Sequence, residues 1–97
     1  MKKMDIQLEH LQDKKRFIAK VDDHVATLKY KIVDDNVLNY YSTFVPEELR
    51  NARVGYELVK FGLEYAKKHN FKIVPKCWFV KKVMDRDEEY QSMIAST

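Results

Sequence analysis

Arg50 and Arg53 lie in the run Arg50-Asn51-Ala52-Arg53-Val54-Gly55, just ahead of a stretch whose apolar residues return every three or four positions. A helix start presents unpaired backbone N–H groups and partial positive charge. Guanidinium groups beside it could complete a site for a phosphate. The same run also reads as a polar connection with solvated arginines. Further along stands the chain's one cysteine, Cys77, which excludes an intramolecular disulfide and a multi-cysteine zinc site. A lone cysteine is most often a small buried hydrophobe, and a nucleophilic one needs a lowered pKa or an adjacent base that the sequence does not display. His10, His24 and His69 fall in a turn, at a strand start and at a helix end, as surface residues without the ligand spacing of zinc motifs, so no metal is expected. Tyr40, Tyr41, Tyr56, Tyr65 and Trp78 could line a groove, but their spacing favours core packing for most of them, leaving Tyr41 as the candidate substrate-pocket residue.

Two periodicities must position these groups. Ile6 and Leu8, then Phe17, Ala19 and Val21, then Ala26, Leu28, Tyr30 and Ile32, then Leu38, Tyr40 and Phe44 alternate with polar residues and predict four strands. Gln12-Asp13-Lys14-Lys15, Asp22-Asp23 and Asp34-Asp35-Asn36 suit tight turns between them, which makes an antiparallel meander. After Pro46 the period changes. Leu58, Val59, Gly62, Leu63 and Ala66 form an apolar stripe opposite Glu57, Lys60, Glu64, Lys67 and Lys68, an amphipathic helix. Phe71-Lys72-Ile73-Val74-Pro75 reads as a short strand ended by proline, and Phe79, Val80 and Val83 predict a short helix between Cys77 and Asp85. A strand, a crossover helix and a strand in succession make the fourth and fifth strands parallel, with the helix on one face and the pair meeting at the carboxyl ends Val45 and Val74. The expected fold class is α+β (mixed α/β): a mixed, mostly antiparallel sheet of about five strands with a parallel last pair, a long crossover helix and a short C-terminal helix.

Ninety-seven residues suffice for one domain, expected over 1–97, and not for two. With 45% hydrophobic and 34% charged residues the chain is not a disordered tail. Its net charge of +3 is broken up in the N-terminal half by Asp5, Glu9, Asp13, Asp22, Asp23, Asp34 and Asp35, so a nucleic-acid surface is not the expectation. No apolar run approaches the roughly 18 residues of a membrane-spanning helix, and Met1-Lys2-Lys3-Met4-Asp5-Ile6-Gln7 lacks the apolar stretch of a signal peptide. The cytoplasm is the residual expectation, and a single thiol suits a reducing compartment.

The run Thr43-Phe44-Val45-Pro46-Glu47-Glu48-Leu49-Arg50 through Gly55, then Leu58-Val59, Tyr65-Ala66 and Ile73-Val74-Pro75-Lys76-Cys77, has Ala26-x-Leu28-x-Tyr30 upstream and Glu89-Tyr90 near the end. In order and spacing these residues resemble the small, single-domain, YjdJ-like branch of the GCN5-related N-acetyltransferases, over roughly Phe17 to Tyr90. The resemblance implies that acetyl-coenzyme A, as co-substrate, lies where the fourth and fifth strands splay apart, with its pyrophosphate on the loop before the crossover helix. Its implied contacts are Thr43, Phe44 and Val45 on the strand and Arg50, Asn51, Ala52, Arg53, Val54, Gly55 and Tyr56 on the loop and helix start. Val45 would offer backbone groups to the pantetheine arm and an N–H toward the thioester carbonyl. Cys77 is the implied catalytic residue, near the thioester sulfur: it would relay an acetyl group, interact with the departing thiolate or line the pocket.

The chain departs from that family at four positions. Asn51 and Arg53 stand where relatives carry glycine, and while asparagine tolerates a positive φ, arginine does so poorly. Two outcomes are open for Arg53: its guanidinium reaches the pyrophosphate, or its side chain crowds the site. Ser42 stands where relatives carry histidine, which leaves the general base unassigned. Trp78 occupies a position where a small residue or proline is frequent and is expected to narrow the cleft entrance. The leading expectation is an acetyl-coenzyme A-dependent N-acetyltransferase acting on an amine of a small molecule or a protein. The alternative is a catalytically impaired relative that binds coenzyme A weakly or serves as a protein-interaction module. A basic nucleic-acid-binding module ranks third, and the oligomeric state is not legible.

Overall fold

In the computed structural model, residues 5–50 and 53–95 are described. Strands β1 (Gln7–Leu11), β2 (Arg16–Val21), β3 (His24–Asp34), β4 (Val37–Phe44) and β5 (Lys72–Val74) form one sheet in chain order. The first four pair antiparallel and β4 pairs with β5 in parallel. Helix α1 (Val54–Lys68) makes the crossover, followed after β5 by α2 (Trp78–Asp85) and α3 (Glu88–Gln91). The mixed α+β class, the meander and the parallel last pair are as the periodicity predicts.

The turns follow from their short polar residues. Asp22 takes a left-handed φ of 54° between β2 and β3, and the Asn36 amide donates to Asp34 Oδ1 at 2.9 Å between β3 and β4. Helix α1 ends where Asn70 adopts a φ of 62° and the Phe71 amide reaches back to the Ala66 carbonyl at 2.8 Å.

The predicted stripe, Leu58, Val59, Gly62, Leu63 and Ala66, is buried against Phe17, Ala19, Leu28, Tyr30 and Tyr40 of the sheet. Gly62 permits that approach: a Cβ there would stand 2.8 Å from Leu28 Cδ2. The closeness also brings the Tyr40 hydroxyl to within 2.7 Å of the Gly62 carbonyl, to which it donates.

Several expectations are corrected. His10 is not in a turn; it lies on β1, its ring stacked on Phe17 at 4.2 Å, with Nε2 2.7 Å from the Tyr30 hydroxyl. Ile32 has the core-side parity, yet it is 58% exposed near the far end of the long strand β3. Val74 stands opposite Asn39, not Val45, so the parallel pair meets at the beginning of β4. The C-terminal region also holds more than one short helix. In α3 four residues are too few for a periodicity to read, yet Asp87 caps it by accepting the Glu89 amide at 2.8 Å, and beyond it Ile94 bridges to Ile73. Among the described residues no helix is long and apolar enough to cross a membrane.

Candidate functional site

The cleft comes from a mismatch in strand length. β5 pairs with β4 only from Val37 to Asn39, and among the described residues the last backbone link between the two segments is the Cys77 amide donating to the Tyr40 carbonyl at 3.1 Å. Beyond that point β4 continues with β3 on one side only. A β-bulge changes what it presents. Tyr30 stands opposite Tyr40 and Lys29 opposite Ser42, so Tyr41 has no partner and the alternation of faces shifts by one residue. Leu38 and Tyr40 face the helix before the bulge; after it Thr43, opposite Leu28, takes that face. A cleft of about 650 Å³ results, walled by the end of β4 and the starts of α1 and α2.

On its wall the Cys77 thiol donates to Thr43 Oγ1 at 3.4 Å. Burial raises the thiol pKa, but the Thr43 hydroxyl, the Val80 and Phe79 amides and the Thr43 backbone favour the thiolate and bring the net value below the ordinary 9.0. Cys77 is the N-cap of α2, although in this geometry its side chain closes no capping hydrogen bond.

The opposite wall is the start of α1. No side chain caps it, and Arg53 at the N-cap position adopts a left-handed φ of 61°, the conformation that glycine would take without cost. Among the described residues no group accepts from the first-turn amides of Val54, Gly55 and Tyr56. The Arg53 guanidinium lies 4.9 Å from the Tyr56 ring centroid and lines the cleft there. Arg50 donates from Nε to the Val45 carbonyl at 3.1 Å, which tethers a second guanidinium at the same rim. Gly55 eases this close approach, since a Cβ there would stand 3.1 Å from Val45 Cγ2 and 3.3 Å from Phe79, tighter than an ordinary contact.

Thr43, Phe44, Val45, Arg50, Arg53, Gly55, Tyr56 and Cys77, predicted from scattered parts of the chain, thus share one cleft. Val54 is fully buried and contributes backbone at the helix start. Tyr41 lies outside the cleft, its ring beneath the Lys31 ammonium at 5.1 Å. Asn51 and Ala52 lie outside the described residues. Trp78, 74% exposed, and Phe79 complete the lining. Phe79 was legible only as an apolar residue at helical spacing, a signal that core packing accounts for equally well. Among the described residues no histidine or carboxylate lines this cleft, and no cluster of three or more metal-ligating side chains occurs.

Residues 16–93 match the family described as GCN5-related N-acetyl-transferase. The chain is also similar to the solution structure of a GCN5-like protein from Staphylococcus aureus, with 28% identity and a TM-score of 0.69, over all of this chain and 93% of that one. No curated protein matches.

Proposed function

The chain belongs to the GCN5-related N-acetyltransferase family, and from that premise we propose that it transfers the acetyl group of acetyl-coenzyme A to an amine. The observation that carries this reading is the single cleft that joins the Cys77–Thr43 pair to an uncapped helix start flanked by Arg50 and Arg53. Such a cleft fits a thioester at one end and a diphosphate at the other.

The co-substrate supplies an activated acyl carbon. Arg50, Arg53 and the amides of Val54, Gly55 and Tyr56 would hold its diphosphate, with Arg53 following the first of its two expected courses, toward the anion, once the co-substrate is bound. Thr43, Phe44 and Val45 lie past the end of the β4–β5 ladder, so the edge of their backbone away from β3, apart from the Val45 carbonyl that Arg50 holds, is available to align the pantetheine arm. Cys77 would hold a proton at Sγ and give it to the departing sulfur, the thiolate left behind being favoured by the Thr43 hydroxyl and the Phe79 and Val80 amides until it recovers, through water, the proton that the attacking nitrogen sheds. With no histidine or carboxylate on the walls among the described residues, the acceptor must arrive as a free amine or lose its proton to water, and turnover should rise with pH through the amine's own pKa. The free thiol suits the cytoplasm.

Calorimetry and thermal unfolding with coenzyme A test the binding half. Ligand at 100 times its Kd should add about 2.7 kcal/mol of stability, and no stabilisation at millimolar ligand would remove the reading. Thiol release with a panel of amines tests transfer. The lack of a histidine or carboxylate base among the described lining residues favours a second reading, a coenzyme A-binding relative without turnover, which saturable binding with no thiol release would select. An acetyl group found on Cys77 by mass spectrometry would replace the proton-donor role with an acyl relay.

A further inference from the structure

Past Arg53, Tyr56 and Phe79 the cleft continues into a second one of about 390 Å³, and those three residues line both. Its charge is one-sided. Arg53, Lys82 and Arg86 bring three cations, none of which makes an ion pair among the described residues. The single carboxylate on the wall, Asp87, is engaged by the Glu89 amide, and the Tyr90 hydroxyl donates to Glu64 at 2.5 Å. Lys82 and Arg86 are four residues apart on α2 and its C-cap, and therefore share a face. Neighbouring Lys81 is paired instead with Asp85 at 3.2 Å. A concave surface with three cations against one carboxylate, itself held by a backbone amide, suits a compact dianion.

We propose that Lys82 and Arg86 take the 3′-phosphate of coenzyme A, so that the protein selects coenzyme A over its dephospho form. This rests on the proposed cofactor cleft: a diphosphate at the start of α1 sends the adenosine past Arg53, where the groove continues, and the phosphomonoester is one ribose further on.

Titration calorimetry of the full chain at low salt, with coenzyme A and with 3′-dephospho-coenzyme A, separates the cases. The wild type should bind coenzyme A about tenfold more tightly, the scale of one charge-assisted contact at an exposed rim. The double variant Lys82→Ala/Arg86→Ala should lose that preference while keeping its affinity for the dephospho form, and Lys81→Ala should leave both affinities unchanged. Lys82 and Arg86 are exposed, so the double variant should melt like the wild type. Equal wild-type affinity for the two forms overturns the inference and leaves the cofactor reading standing; binding of neither overturns both. Affinity lost for both forms alike in the double variant also overturns it. So does inorganic phosphate that binds and is not displaced by coenzyme A, which would assign the cations to a different phosphomonoester.

Discussion

From Val37 to Tyr40, β4 lies next to β3, with β5 or the chain just past it on its other side, and Leu38 and Tyr40 disappear beneath α1; from Tyr41 to Phe44 it keeps β3 alone, and Phe44 is 57% exposed. One strand thus serves two purposes. Its first half satisfies backbone groups on both edges and buries aromatic side chains around Phe17, whose ring lies within 6 Å of those of His10, Tyr30, Tyr40, Phe61 and Tyr65. Its second half leaves one edge unpaired beside a polarised thiol and two guanidinium groups. Stability should be concentrated in the first half and binding in the second.

The contrast can be broken most sharply at Phe17. Phe17→Ala should cost about 3–5 kcal/mol, read from the urea midpoint, because the site is fully buried and ringed by other side chains. A loss below 1 kcal/mol would mean that this half is not where the fold is held. Gly62→Ala should cost about 1–3 kcal/mol by overpacking against Leu28. Tyr40→Phe should cost about 1–2 kcal/mol by leaving the Gly62 carbonyl without its donor, and it should spare coenzyme A binding. A smaller effect is set by pH. Burial, then the neighbouring His69, hold the His10 pKa below the usual 6.5, so the unfolded chain takes up the proton more readily. The stabilisation should be complete above pH 6.5 and be lost as pH falls through 6.5 toward the folded value; His10→Gln should flatten that slope in unfolding measured across pH. Trp78→Ala should move stability least, within about 0.5 kcal/mol, while changing coenzyme A affinity in calorimetry. A large stability loss there would erase the distinction between the halves.

Much of this was legible before any coordinates. The alternation in Phe17-x-Ala19-x-Val21 and Ala26-x-Leu28-x-Tyr30, and the stripe from Leu58 to Ala66, report periods that only strands and a helix satisfy. The site was legible as residue types: arginines before a helix and a cysteine after a strand. Its lining by Phe79, the exclusion of Tyr41 and the placing of His10 were not. Each depends on where a neighbouring element stops or slips, and a bulge of one residue leaves no mark in the composition around it. Arg53 is the instructive case. Its residue type argued against a left-handed backbone, yet it adopts one with φ 61° and rests its guanidinium over Tyr56. Local preference for φ amounts to about 1–2 kcal/mol per residue, which the packing of a whole helix start can outweigh.

By itself the amino-acid order determined the elements, their sequence, the parallel last pair and the chemical groups on hand, since these follow from short-range periodicity, turn residues and the handedness of crossovers. Tertiary structure alone decided that β5 ends beside Asn39, that Tyr41 slips the register, and that Lys82 and Arg86 extend the groove beyond Arg53. Those outcomes depend on contacts between residues far apart in the chain, whose distances no local pattern encodes.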